Sequence, residues 1–187
     1  MCKKIHRGGN AEQYHADKKY KEAVAVAVEA CAEDVKGQTC YICTQALHWK
    51  TKEGLVRGCA CRGTAGFVHV SCLAEQAKIL IEEADEKNMD REVKAKLWTR
   101  WQNCRLCGQC YNAEVACALG WACWKTYLGP GNQGLMPRVF LEKILGEDAE
   151  NARRVLGPTK DIVIDMQRDL SMLRKLIAHL RAARETP

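Results

Sequence analysis

The chain has 187 residues, 47% of them apolar, and Lys and Arg together outnumber Asp and Glu by six. This length predicts either one domain or a small domain with helical flanks. The excess positive charge is scattered, which argues against nucleic-acid binding as the main function. No apolar run approaches the roughly 20 residues of a membrane helix. Twelve cysteines without a recognisable secretion signal favour metal ligands over disulfides, in the reducing cytoplasm or nucleus.

Residues 1–37 are expected to form an N-terminal segment built on one amphipathic helix from Glu12 to Val35. Its apolar side chains recur at helical spacing, and Gly37 ends it. The apolar stripe consists of Tyr20, Val24, Ala27, Val28, Cys31 and Val35.

The central region, residues 38–110, contains four pairs of potential metal ligands. They are Cys40 and Cys43, Cys59 and Cys61, His69 and Cys72, and Cys104 and Cys107. Zinc prefers tetrahedral sulfur and nitrogen ligands, and a Cys-x-x-Cys turn directs two thiolates to one ion. Each pair therefore supplies half a site, so the four pairs predict two Zn²⁺ ions in closed structural sites and no catalytic residue.

One ligand assignment stays open at the end of this region. Cys110 forms a second Cys-x-x-Cys pair with Cys107, so it is an alternative to Cys104. The remaining cysteines are expected to be spare and mostly buried thiols, and the remaining histidines are not expected to bind metal. These are Cys2, Cys31, Cys117 and Cys123, with His6, His15, His48 and His179.

Short strands and helices are predicted around the ligands. Leu55-Val56 and Phe67-Val68 are expected to be strands. A helix is expected over 73–84, followed by a break at Asn88 and Asp90 and a second stripe over 93–101. Beyond the ligands we predict a Trp- and Cys-rich helix within 111–128 and a helical segment over 132–187, interrupted at Gly157-Pro158. The tryptophans Trp98, Trp101, Trp121 and Trp124 fit helix packing better than nucleic-acid stacking.

The ligand spacing resembles the RING-CH (RING-variant) zinc finger. The stretch Cys59-Ala-Cys61-Arg-Gly-Thr-Ala-Gly-Phe-Val-His69-Val-Ser-Cys72-Leu is especially similar, and its Cys-x-Cys pair favours this family over the plant-homeodomain finger. The resemblance covers about Thr39 to Gln109. It implies a small α+β fold, a cross-brace finger with minimal β-sheet flanked by N- and C-terminal α-helices. One ion would be held by Cys40, Cys43, His69 and Cys72, and the other by Cys59, Cys61, Cys104 and Cys107.

The same resemblance implies a function. RING-CH domains commonly act as ubiquitin-protein ligases that dock a ubiquitin-charged conjugating enzyme and promote transfer to a protein substrate. Ile42 and Leu106 would contribute to the docking surface. The chain departs from membrane-associated members of the family, since Gln76 stands where many carry a tryptophan and no membrane helix is predicted. A zinc-stabilised interaction module without ligase activity is therefore the alternative.

The flanks are similar to soluble algal or protist-type RING-CH proteins that continue into tetratricopeptide-like repeats. The stretches 117–127 and 169–176 carry this similarity. A repeat array needs about three units, so the tail is expected to be a remnant that docks on the finger.

Overall fold

A computed structural model of the protein describes residues 8–127 and scattered positions between 146 and 178. Within 8–127 the α-helices are α1 (Gly8–Ala30), α2 (Val70–Glu86), α3 (Arg91–Trp98) and α4 (Ala113–Tyr127). Short 3-10 turns, Gly63–Gly66 and Thr99–Trp101, lie before α2 and directly after α3.

Helix α1 precedes the ligand region in sequence and α4 follows it, and the two helices pack against each other. The His15 ring meets the Trp121 ring edge-on at 6.0 Å, and Lys125 lies 3.0 Å from the Asp17 carboxylate. Every residue from 115 to 124 is buried. Because it is apolar on all sides, α4 is the central helix of the core rather than a surface helix.

The N-terminal helix ends earlier than the predicted Val35. It ends at Ala30, and turns continue to residue 37. The Cys31 side chain ties this point to the finger, since its Sγ accepts a hydrogen bond from the Arg57 N–H at 3.3 Å. The predicted stripe does face the core, with Tyr20, Val24, Ala27 and Cys31 buried.

The β-structure is smaller than the two expected strands. Val56 and Val68 form a single antiparallel bridge, with N···O distances of 2.8 and 3.1 Å. Glycines lie on both sides of Val56 because the chain there approaches two helices closely. A Cβ on Gly54 would lie 2.8 Å from Val28 in α1, and one on Gly58 would lie 2.7 Å from Val115 in α4. In residues 8–127 the only other bridge joins Asn103 to Cys110.

Helices α2 and α3 occupy most of the long gap between the sixth and seventh ligands. Asn88, with a φ of 46°, breaks the chain between them, and Asp90 is the residue before α3, as predicted. The tryptophans pack inside, as the helical spacing predicts. Trp98 and Trp101 lie 4.8 and 5.8 Å from the Tyr127 ring, and Trp121 and Trp124 are also buried.

The tail can be compared with its prediction only at its described positions. Val163 and Leu170 are buried and contribute to the core, whereas Ile164 is exposed. Gly157 has a φ of +88° and marks the predicted interruption. Residues 128–145 and the remaining positions of the predicted helical segment lie outside the described residues. None of the described helices has the length and hydropathy that a membrane crossing requires.

Candidate metal centres

The eight predicted ligands converge into two groups, each able to hold a metal ion. The first pair of ligands joins the third, and the second pair joins the fourth, so the two groups interleave along the chain. Within each group the ligand atoms all lie within 4.8 Å of one another. The groups are Cys40, Cys43, His69 and Cys72, and Cys59, Cys61, Cys104 and Cys107.

The first group has the spacing of ligands around one tetrahedral ion. His69 Nδ1 lies 3.3 Å from the Cys43 Sγ and 3.7 Å from the Cys72 Sγ. Ligands at about 2.0–2.3 Å from a zinc ion would be separated by about 3.5–3.8 Å. The His69 ring is fully buried, and its Nε2 lies 3.4 Å from the Ala46 carbonyl oxygen. Donation from Nε2 to that carbonyl would leave Nδ1 free to bind metal.

The second group is built from thiols alone. The Sγ atoms of Cys61 and Cys104 lie 3.6 Å apart, and both side chains are buried, whereas Cys107 is exposed. Cys110 is exposed and stands outside the group, where it accepts a long hydrogen bond from Asn103 at 3.7 Å. Of the two alternatives for the last pair, the structure therefore brings Cys104 and not Cys110 to the site.

The two Cys-x-x-Cys turns have the same backbone design. In the first, the Cys40 N–H donates to the Gln45 carbonyl at 3.0 Å, and the Cys40 carbonyl accepts from the Thr44 N–H at 2.8 Å. The second repeats this from Cys104, with Gln109 and Gly108 in the equivalent positions, at 2.8 and 2.9 Å. The fifth residue of each turn is left-handed, with a φ of 61° at Thr44 and 73° at Gly108. Such a conformation costs about 1–3 kcal/mol for a residue other than glycine, so the first turn tolerates strain to keep its shape.

Crowding of the thiols couples their ionisation within each group. A hydrogen bond from the Cys72 thiol lowers the pKa of Cys40 to about 4, and the same bond raises the pKa of Cys72. Burial raises the pKa of Cys61 in the second group. Neighbouring thiolates repel one another, so the thiols of a group ionise together only when a cation balances their charge.

Glu53 supports the first group and was not among the predicted residues. Its carboxylate accepts a 2.7 Å hydrogen bond from the Ser71 N–H and a 3.4 Å one from the Tyr20 hydroxyl. It therefore caps the N-terminus of α2, the helix that positions Cys72. A sequence signal was present, since Glu53 is the only acidic residue between Cys43 and Cys72.

A groove of about 870 Å³ lies beside the first group, and we call it the α2 groove. Ile42, predicted to bind a partner, lines it together with Trp49, Gln76, Ile79 and Arg105. Ile42 is half-buried and also packs against the core. Leu106, the second predicted partner residue, is 54% exposed, and it is its neighbour Arg105 that lines the groove.

The other histidines and cysteines within the described residues stay out of the two groups. His48 Nδ1 accepts from the Thr51 N–H at 3.1 Å, and His15 packs on Trp121 as described above. Cys31, Cys117 and Cys123 are buried thiols, as expected. Cys2, His6 and His179 lie outside the described residues.

Comparisons of the chain with protein-family models, curated proteins and solved structures found no match. The two groups of cysteine and histidine are consistent with a zinc-finger protein.

Proposed function

We propose that the protein is a two-zinc finger of the RING-CH type that acts as a ubiquitin-protein ligase. The observation that carries this proposal is the interleaving of the two ligand groups, with three thiols and one histidine in the first and four thiols in the second. Both donor sets suit zinc. None of the described cysteines forms a disulfide, which supports a reducing compartment, the cytoplasm or the nucleus.

In this function the chain supplies docking and no covalent chemistry. Saturated zinc sites have no thiolate free to act as a nucleophile, and the metal would hold the two Cys-x-x-Cys turns in place. A RING-type ligase binds a conjugating enzyme that already carries ubiquitin. The α2 groove supports this role, because Ile42 and Arg105 come from the two different turns and line the same surface.

The alternative function is a zinc-stabilised interaction module that promotes no ubiquitin transfer. One observation favours it, namely that Gln76, a half-buried residue of α2, lines the groove at the position where the RING-CH resemblance implies a tryptophan. The α2 groove would then bind a partner without discharging a conjugating enzyme.

Metal content tests the finger. Native mass spectrometry and elemental analysis should find two zinc ions per chain, and Cys59→Ala should lose the second ion. Cys110→Ala is the matched control, since Cys110 lies outside both groups and its replacement should leave both ions bound. A stoichiometry of one, or full retention of two ions by Cys59→Ala, would contradict the proposal.

Ubiquitin discharge from a panel of conjugating enzymes tests the ligase. Ile42→Ala and Leu106→Ala should keep both zinc ions and the wild-type thermal transition while slowing discharge. Gln76→Trp should raise it. If Ile42→Ala instead lowers stability, its partial burial against the core explains any lost activity. If wild type and Gln76→Trp are both inactive with every enzyme of the panel, the interaction module is the correct reading.

A further inference from the structure

Cys110 completes a Cys-x-x-Cys pair with Cys107 but belongs to neither ligand group. Among the described cysteines, these two are the ones that are exposed. The other ligands of the second group are less accessible, since Cys61 and Cys104 are buried and Cys59 is half-buried. Solvent therefore reaches the second group through Cys107, and an unused thiol lies three residues further along the chain.

The fold of the second turn directs the Cys110 sulfur back toward Cys107. Asn103 faces Cys110 in an antiparallel bridge, and its side-chain amide donates to the Gly108 carbonyl at 3.0 Å and to the Cys110 Sγ at 3.7 Å. One amide group thus reaches both the Cys110 sulfur and the residue that follows Cys107. Gly108 has a φ of 73°, and no atom lies within 4 Å of the position that a Cβ would take there. The turn therefore has room to adjust its backbone to the short Cα separation that a disulfide requires.

The first turn has the same backbone hydrogen bonds and lacks the additional thiol. Counted from the first cysteine of each turn, Ala46 occupies the position equivalent to Cys110. A thiol at this position is therefore not needed for the turn to fold. The described thiols outside the two groups, apart from Cys110, are all buried, namely Cys31, Cys117 and Cys123. The first turn thus carries no accessible thiol besides its own ligands.

We propose that Cys107 and Cys110 form a redox switch, in which a disulfide between them removes one ligand from the second metal site and leaves the first site intact. The inference rests on the two-zinc finger proposed above. Cysteines that sense oxidants are accessible and often stand beside a resolving thiol, and this pair has both properties.

The oxidant is a hydroperoxide. The Cys110 sulfur takes one oxygen as the O–O bond breaks, which gives a sulfenic acid and releases an alcohol, or water where the oxidant is hydrogen peroxide. The Cys107 sulfur then attacks the Cys110 sulfur, the S–O bond breaks, and the departing hydroxide takes up a proton to become water. The two sulfurs together lose two electrons, and the peroxide gains them. Because the ligand is a thiolate, Cys107 can no longer bind metal, and the second group keeps three donors.

The test treats the zinc-loaded protein with hydrogen peroxide, follows metal loss by native mass spectrometry and locates the disulfide by peptide mapping. Wild type should lose one of its two ions and gain the Cys107–Cys110 disulfide. Cys110→Ala installs the residue that the first turn carries. It should lose that ion at least about tenfold more slowly, because a thiol held in the same turn outcompetes thiols from solution. A dithiol reductant with added zinc should restore both ions to wild type.

Two further variants locate the effect. Cys59→Ala should hold only the first ion and should keep it under the same oxidant. Cys2→Ser removes a cysteine that is distant in sequence, and it should lose one ion as fast as wild type does.

The outcomes separate this inference from the finger on which it rests. Metal loss from Cys110→Ala at the wild-type rate, a disulfide between other cysteines, or oxidised wild type that keeps both ions overturns the inference and leaves the two-zinc finger standing. Release of the first ion from Cys59→Ala also overturns it. A wild-type protein that binds fewer than two ions before oxidation overturns both.

Discussion

Glu53→Gln should weaken zinc binding at one of the two sites and spare the other. The Glu53 carboxylate accepts the Ser71 N–H at 2.7 Å in the first turn of α2. His69 and Cys72 lie at the start of that helix and complete the first group. The second group takes no ligand from α2. A substitution that affects only the start of α2 should therefore weaken only the first metal site.

The size of the effect follows from what glutamine retains. Its amide oxygen can still accept the N–H, so the hydrogen bond survives without its charge. A hydrogen bond to a charged group contributes about 1.5–3 kcal/mol, compared with about 1 for a neutral one, and a negative charge at a helix N-terminus adds about 0.3–1 kcal/mol. The expected loss is about 1–2 kcal/mol, or a five- to thirty-fold higher dissociation constant for the first zinc ion.

Competition with a chromophoric chelator resolves the two binding steps, and Cys59→Ala identifies the step that belongs to the second group. Glu83→Gln is the control on the same helix, since Glu83 is exposed and pairs with Lys87 at 3.2 Å. Glu83→Gln should shift neither step, as is usual for a surface ion pair. Equal weakening of both steps by Glu53→Gln, or an unchanged first step, would refute the reasoning.

Three further measurements test the packing and the metal dependence. Each structural zinc contributes on the order of 10 kcal/mol to folding. Complete chelation of zinc should therefore abolish the near-ultraviolet circular-dichroism signal of the tryptophans and retain part of the far-ultraviolet signal of the helices. An unchanged near-ultraviolet spectrum would contradict this. Gly54→Ala should lower the free energy of unfolding by about 1–3 kcal/mol through its contact with Val28, and adding Val28→Ala should recover part of that loss in a double-mutant cycle. Burial raises the pKa of Tyr127 well above 10. Above pH 10 the unfolded chain therefore loses the phenol proton before the folded chain does, and the free energy of unfolding decreases as the pH rises. In urea titrations Tyr127→Phe should make this decrease shallower by up to about 1.4 kcal/mol per pH unit.

The ligand pairs were predictable because their signal is local. A Cys-x-x-Cys or His-x-x-Cys spacing is set by the turn that carries it, so all four pairs are visible without tertiary structure. The helix after Cys72 was also predictable, because one apolar stripe runs along it. The sequence spacing left open whether Cys104 or Cys110 belongs to the last pair, and the positions of the ligand atoms in the structure select Cys104.

The features that sequence reasoning missed depend on contacts between distant residues. Helix α1 ends before Val35, and the next residue, Cys31, bonds to Arg57, 26 positions away. The expected strands shorten to one bridge where glycines bring the chain against α1 and α4. The position of Trp49 in the α2 groove depends on how its loop lies against α2, and no periodicity in the sequence reports that placement.

The interleaving of the two groups also imposes an order on synthesis. The first site is complete once Cys72 has emerged from the ribosome, whereas the second waits for Cys107, which is 107 − 72 = 35 residues later. At roughly 5–20 residues per second this delay is about 2–7 s. During that interval Cys59 and Cys61 have no partner pair, and an ion in the first group would close the loop that contains them. If the first group takes up its ion as soon as Cys72 is available, the nascent chain would carry one ion and a half-built second site open to competing metals and oxidants.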